Sequence, residues 1–209
     1  MGKISIEESG MKFREYDERD VFHIETSQQY IETLRDRGIK ICEFLLSTGN
    51  KIVFVEAKTN FPNHLNVKDY ECFIGEVVQK MSNSLSLYGN ILLGRYSDDG
   101  VPENLSVKAF LKKQIIFLLL VKEAKEEWLI NVRDDLNSRM NDIMRIWKIQ
   151  RIMVLNEEMA RQKNIYSRKL YFLVISLRTD RILWYCIYFE IPFSSVVEVI
   201  SNSRMSAAD

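Results

Sequence analysis

Cysteine is scarce in this chain. Cys42, Cys72 and Cys186 are three among 209 residues, odd in number and far apart. None stands in a Cys-x-x-Cys or Cys/His spacing that would hold zinc, so a metal-stapled or disulfide-stapled scaffold is excluded and the three read as reduced core residues of a cytoplasmic protein. Histidine is scarcer still: His23 and His64 have no Ser or Cys at a spacing that would build a nucleophile–base pair, and they read as structural or surface groups. The eight glycines form no GxGxxG and no phosphate-binding loop. With only eight Gly and three Pro against 46% hydrophobic residues, the composition excludes a disordered or low-complexity chain. Long apolar runs are missing too. MGKISIEESGMKF alternates apolar and charged residues, without the continuous apolar stretch of a signal peptide. IIFLLLV (115–121) and ILWYCIYF (182–189) fall short of the roughly 20 residues a spanning helix needs, so no membrane span is expected and both read as buried strands. Net charge is absent: 29 basic and 29 acidic residues cancel, so the total does not announce a nucleic-acid binder, although a local basic patch stays open.

What is present is the pattern of one α/β domain. KISIEES and MKFREY read as short strands. From Asp20 to about Arg37 the period turns helical, with Asp20 as cap, Ile24, Ile31 and Leu34 as the stripe, and Gly38 as the stop. GIKICEFLLSTGNKIVFVEAKT then reads as two strands around a Gly-Asn tip. Residues 69–88 are helical again, with Phe73, Val77 or Val78, Met81, Leu85 and Tyr88 on one side. After the loop SDDGVPEN come a strand at 114–121, an amphipathic helix at about 124–147, a strand at 150–155 and a short helix to 164. Strand–helix–strand order favours parallel pairing in a mixed central sheet flanked by helices. Strands near 170–177 and 182–190 close the chain as a C-terminal addition.

Chemistry concentrates in KIVFVEAKTN. Period two puts Ile52, Phe54, Glu56 and Lys58 on one face and Val53, Val55 and Ala57 on the other. A two- or four-residue hairpin loop makes the indices of opposed residues sum to 97 or 99, so Glu43 lies either across from Glu56 or diagonal to it, on the same face. Two carboxylates so close repel unless a cation lies between them. Mg²⁺ or Mn²⁺ would resolve the conflict, since a hard cation is commonly held by one or two carboxylates and a substrate phosphate. Lys58 stands beside them, where an amine can orient or deprotonate an attacking water.

An acid followed at a distance by E-x-K resembles the PD-(D/E)XK phosphodiesterase superfamily, with its restriction-endonuclease-like fold. The resemblance covers residues 20–122, a nuclease-like core, and leaves 123–209 as a helix and strand extension of one domain spanning 1–209. It implies Glu43 as the first acid, Glu56 as the second, Lys58 as the lysine, and the Ala57 carbonyl as a further metal ligand. A preceding helix often supplies another carboxylate, for which Glu25 and Glu32, seven residues apart, are the candidates; from the following helix Gln79 or Lys80 would reach the site. The implied activity is metal-dependent cleavage of nucleic acid, DNA in preference to RNA. The chain departs from the pattern in having Glu rather than Asp at 43, Cys42 in place of the usual Pro, and two clear strands where three are normal, so the first is expected to be short or to come from the N-terminus.

A plainer reading stands beside this one, because E-x-K at a strand end is common: a catalytically inactive binding or assembly module that keeps the fold. The 124–147 helix, with Trp128, Ile130, Val132, Leu136, Met140 and Trp147 among its apolar residues, serves either reading as core or as the interface of a homodimer or protein partner. Between Arg151 and Arg181 seven basic residues face three acidic ones, with Tyr166 and Tyr171 interleaved, a composition suited to a phosphate backbone and stacked bases.

Overall fold

Along residues 51–58 both alternating sets of side chains are buried, so this strand must be covered on its two faces. The computed structural model, which describes residues 2–163, shows how. The chain opens with two small antiparallel ribbons, β1 (Lys3–Ile4) paired with β4 (Tyr16–Asp17) around β2 (Glu7–Glu8) paired with β3 (Met11–Lys12). Five strands then form one mixed sheet: β5 (Val21–Phe22), β6 (Phe44–Thr48), β7 (Lys51–Lys58), β8 (Gln114–Val121) and β9 (Arg151–Asn156), in that spatial order. β5, β6 and β7 pair antiparallel, whereas β7, β8 and β9 pair parallel. The helices are α1 (Gln28–Thr33), α2 (Val67–Leu92), α3 (Val107–Phe110), α4 (Glu126–Trp147) and α5 (Glu157–Gln162). The protein is thus mixed α/β, as its periodicity predicts, with α4 crossing between the parallel pair β8 and β9.

The faces of the sheet carry separate cores. Leu45, Ile52, Phe54, Phe117 and Leu119 pack with Ile74, Val77, Met81 and Tyr88 of α2 and Leu129, Val132, Leu136 and Met140 of α4. Phe44, Val53, Val55, Ile116 and Leu118 pack instead with Ile6, Met11, Phe13 and Tyr16 of the ribbons. Phe54 anchors the helix side, meeting Tyr88 and Phe117 edge to face at ring-centre distances of 5.8 and 5.4 Å.

Three expectations change. The helix from Asp20 to Arg37 is broken into β5, a 3₁₀ turn at Ile24–Thr26, the six-residue α1 and a second 3₁₀ turn at Arg35–Arg37. Val21 and Phe22 pair with Leu46 and Leu45, so edge pairing outcompetes the helical period there, and β5 is the short first strand. Ser27, not Asp20, caps α1 by accepting the Tyr30 N–H, while Asp20 accepts a bond from Asn104 at 2.7 Å. Cys42 is buried as expected, but Cys72 is exposed on α2. The strands near 170–177 and 182–190 lie outside the described residues. Among the described residues no helix is long and apolar enough to cross a membrane.

Candidate functional site

The hairpin fixes the geometry. Phe44 opposes Val55 and Thr48 opposes Lys51, so opposed indices sum to 99 and the loop is Gly49-Asn50, with Gly49 at φ +56 in the left-handed region. By that sum Glu43 is the next residue across from Glu56, but the regular ladder ends one pair earlier and the Glu43 N–H bonds Val55 O at 3.1 Å. Both carboxylates lie on the α2 side of the sheet, at the end of β7 where β7 and β8 run out in parallel.

A cation does stand between the two acids, and it is Lys80. Its Nζ is 2.7 Å from Glu56 Oε1 and 3.6 Å from Glu43 Oε1. Glu56 is 0% exposed, and its second oxygen, Oε2, has no hydrogen-bond partner among the described residues. Lys58 lies further out: its Nζ is 3.2 Å from Glu56 Oε1 and 2.7 Å from Glu76 Oε1, while Glu76 Oε2 takes Lys40 at 2.7 Å. The charges therefore form a chain from a buried pair to a half-exposed rim.

Burial sets the protonation of this chain. Loss of water pushes the Glu56 carboxyl up to about 7, against the pull of Lys80. Glu43 is also pushed up to about 7, first by burial and then by the neighbouring Glu25 carboxyl. Lys80 is raised: the neighbouring carboxylates outweigh its desolvation and hold it charged. Glu76, with hydrogen bonds from Lys40 and Lys58, is held down at about 2.

The sequence-predicted residues fare unequally. Glu43, Glu56 and Lys58 are brought together with Lys80. Glu25 reaches Glu43 from its 3₁₀ turn, with its N–H 3.4 Å from Glu43 O, rather than from a helix. Glu32 does not join them; it is exposed on α1 and accepts a bond from Gln28. Gln79 is exposed, which leaves Lys80 as the residue α2 contributes. The Ala57 carbonyl accepts a hydrogen bond from Ser9 Oγ at 2.8 Å, at the tip of the β2–β3 ribbon. Glu8 of the same ribbon is raised by burial and then by the charge of Glu43.

Glu76, Glu8 and Ser9 join the site although the sequence pattern does not single them out. Glu76 had a signal: Glu76, Lys80 and Ser84 repeat every four residues beside the apolar stripe of α2, and Ser84 Oγ accepts the Cys42 N–H at 2.7 Å. Glu8 and Ser9 had none, because only tertiary docking carries the ribbon to Ala57.

The donor set fits a hard divalent cation: two carboxylates and a backbone carbonyl supply oxygen alone, and Glu56 Oε2 is a buried acceptor without a donor. Among the described residues no three His, Cys, Asp or Glu side chains gather closely enough to hold a metal by themselves. On the opposite sheet face, Arg14, Lys51, Arg151 and Lys163 rim a cleft of about 440 Å³ floored by Val53 and Ile116. The basic stretch expected to accompany the acids thus contributes Arg151 and Lys163 to the face away from them. Arg161 is paired with Glu157, and Tyr166, Arg168, Lys169, Tyr171, Arg178 and Arg181 lie outside the described residues. Comparison with protein-family models, with curated proteins and with solved structures found no significant match to the chain.

Proposed function

We propose that the protein is a metal-dependent phosphodiesterase that cleaves nucleic acid, in the manner of the PD-(D/E)XK nucleases. The observation that carries the reading is Glu56: a fully buried carboxylate, raised to about 7, with one oxygen lacking a donor and a second acid sharing its counter-ion. Burying an acid in this way costs stability, and perturbed acids in such settings are enriched at functional sites. Glu43 and Glu56, with the Ala57 carbonyl, would hold Mg²⁺ or Mn²⁺, and Glu25 would support Glu43. When bound, the ion supplies charge neutralisation at the phosphate. Lys58, 24% exposed and in contact with both Glu56 and Glu76, would orient the attacking water. The substrate class, DNA before RNA, rests on the resemblance, and a cytoplasmic setting accords with the free thiols Cys42 and Cys72.

A second reading, an inactive binding or assembly module, is favoured by Lys80, whose ammonium already bridges the acids. It is also favoured by the apolar residues that α4 leaves exposed: Trp128, Ile130, Ile146 and Trp147. The two separate on incubation with plasmid DNA, single-stranded DNA and RNA in Mg²⁺ or Mn²⁺. The nuclease reading predicts cleavage that falls by about 100-fold or more in Lys58→Ala and in Glu56→Gln. Cleavage unchanged in both variants, or none by the wild type with either metal, overturns it.

A further inference from the structure

Lys80 occupies the position that the two acids would offer to a metal. Its ammonium contacts the same Oε1 of Glu56 that Lys58 approaches and reaches Glu43 Oε1 as well, although Lys80 comes from α2, Glu56 and Lys58 from β7, and Glu43 from the entry to β6. The stem of Lys80 is packed and its residue 8% exposed, so the ammonium is held at the pair rather than sampling it from solvent. A divalent ion bound through Glu43 and Glu56 would share an oxygen of the buried Glu56 with that ammonium, at a distance where like charges repel.

We propose that Lys80 is the resident counter-ion of the site and competes with the divalent metal for Glu43 and Glu56, so that metal binds only as the Lys80 ammonium withdraws. The inference rests on the metal-site reading above and adds to it a residue that sets metal affinity. Before metal binds, Lys80 offsets the repulsion of the acids; after it binds, the metal takes over that role. The flexible four-carbon stem permits the exchange, and Glu8 lies near enough for its carboxyl to feel the Lys80 charge.

Calorimetric titration with Mn²⁺ tests this on the whole chain. Lys80→Met keeps the stem and removes the charge, and it is expected to bind Mn²⁺ about tenfold more tightly than the wild type, or better, while Lys80→Arg binds no more tightly than the wild type. Wild type and Lys80→Met binding Mn²⁺ equally would overturn the competition and leave the metal site standing. No binding by either protein would overturn the metal site and the competition with it. Since Lys80→Met leaves the buried acids with Lys58 alone as a neighbouring cation among the described residues, the wild type supplies a second measurement. Mn²⁺ is expected to raise the labelling of Lys80 by an amine-reactive reagent, read by mass spectrometry, and labelling unchanged at saturating Mn²⁺ would sink the proposal.

Discussion

Glu56 and Glu43 give the site a pH dependence of definite sign. Burial pushes both up to about 7 from the ordinary 4.5. An acid raised in this way contributes its share of stability below the unfolded value and loses it as the pH rises through the folded one. Glu76 works in the opposite sense, since its value of about 2 gives stability that is present above about 4.5 and lost as the pH falls toward 2. Denaturant melts of the wild type should therefore lose stability between about pH 4.5 and about pH 7, and Glu56→Gln should flatten that loss. An identical slope in the two proteins would show that Glu56 ionises freely in the folded state. At this scale the sequence disclosed much. Period two placed Glu56 and Lys58 on one face and hairpin arithmetic added Glu43, because strand geometry leaves few alternatives. It named Lys80 only together with Gln79, since one residue of helical phase separates a buried side chain from an exposed one.

Among the elements, β7 and α1 show what local pattern can and cannot fix. The β7 sequence has two apolar sets, so its burial on both faces was written in it, and Phe54 carries much of the packing on the helix side. Phe54→Ala is expected to cost about 3–5 kcal/mol in a denaturant melt, the range for emptying an aromatic site in a core. A loss under about 1 kcal/mol would mean that the helix layer collapses onto the gap. The stretch from Asp20 to Arg37 misled because Ile24, Ile31 and Leu34 do follow a helical spacing, while Val21 and Phe22 gain more by pairing with β6. Ser27 is the hinge between these regimes, bonding Ile24 O with its hydroxyl and accepting the Tyr30 N–H. Ser27→Ala should cost about 1 kcal/mol, and more if Glu25 loses its place beside Glu43 with the turn.

At the scale of the described residues, the sheet carries a lysine-paired acid cluster on one side and a cleft rimmed by four bases on the other. The acid cluster is roofed by α2, while Arg14, Lys51, Arg151 and Lys163 gather on the ribbon face. The N-terminal ribbon links the two sides: its apolar residues fill the second core, and Ser9 reaches Ala57 at the end of β7. The extension of the sheet by β9 after α4 follows from strand–helix–strand order, but the approach of Ser9 and Glu8 to the site depends on how the ribbon docks.

The proposed chemistry requires Glu43 and Glu56 to hold a divalent metal. Crystals grown with Mn²⁺ and measured at the manganese absorption edge test it most directly. The account predicts an anomalous peak bonded to both carboxylates, with the Lys80 ammonium withdrawn from them. A Lys80 ammonium still seated between Glu43 and Glu56, with no anomalous peak beside it, would contradict the account.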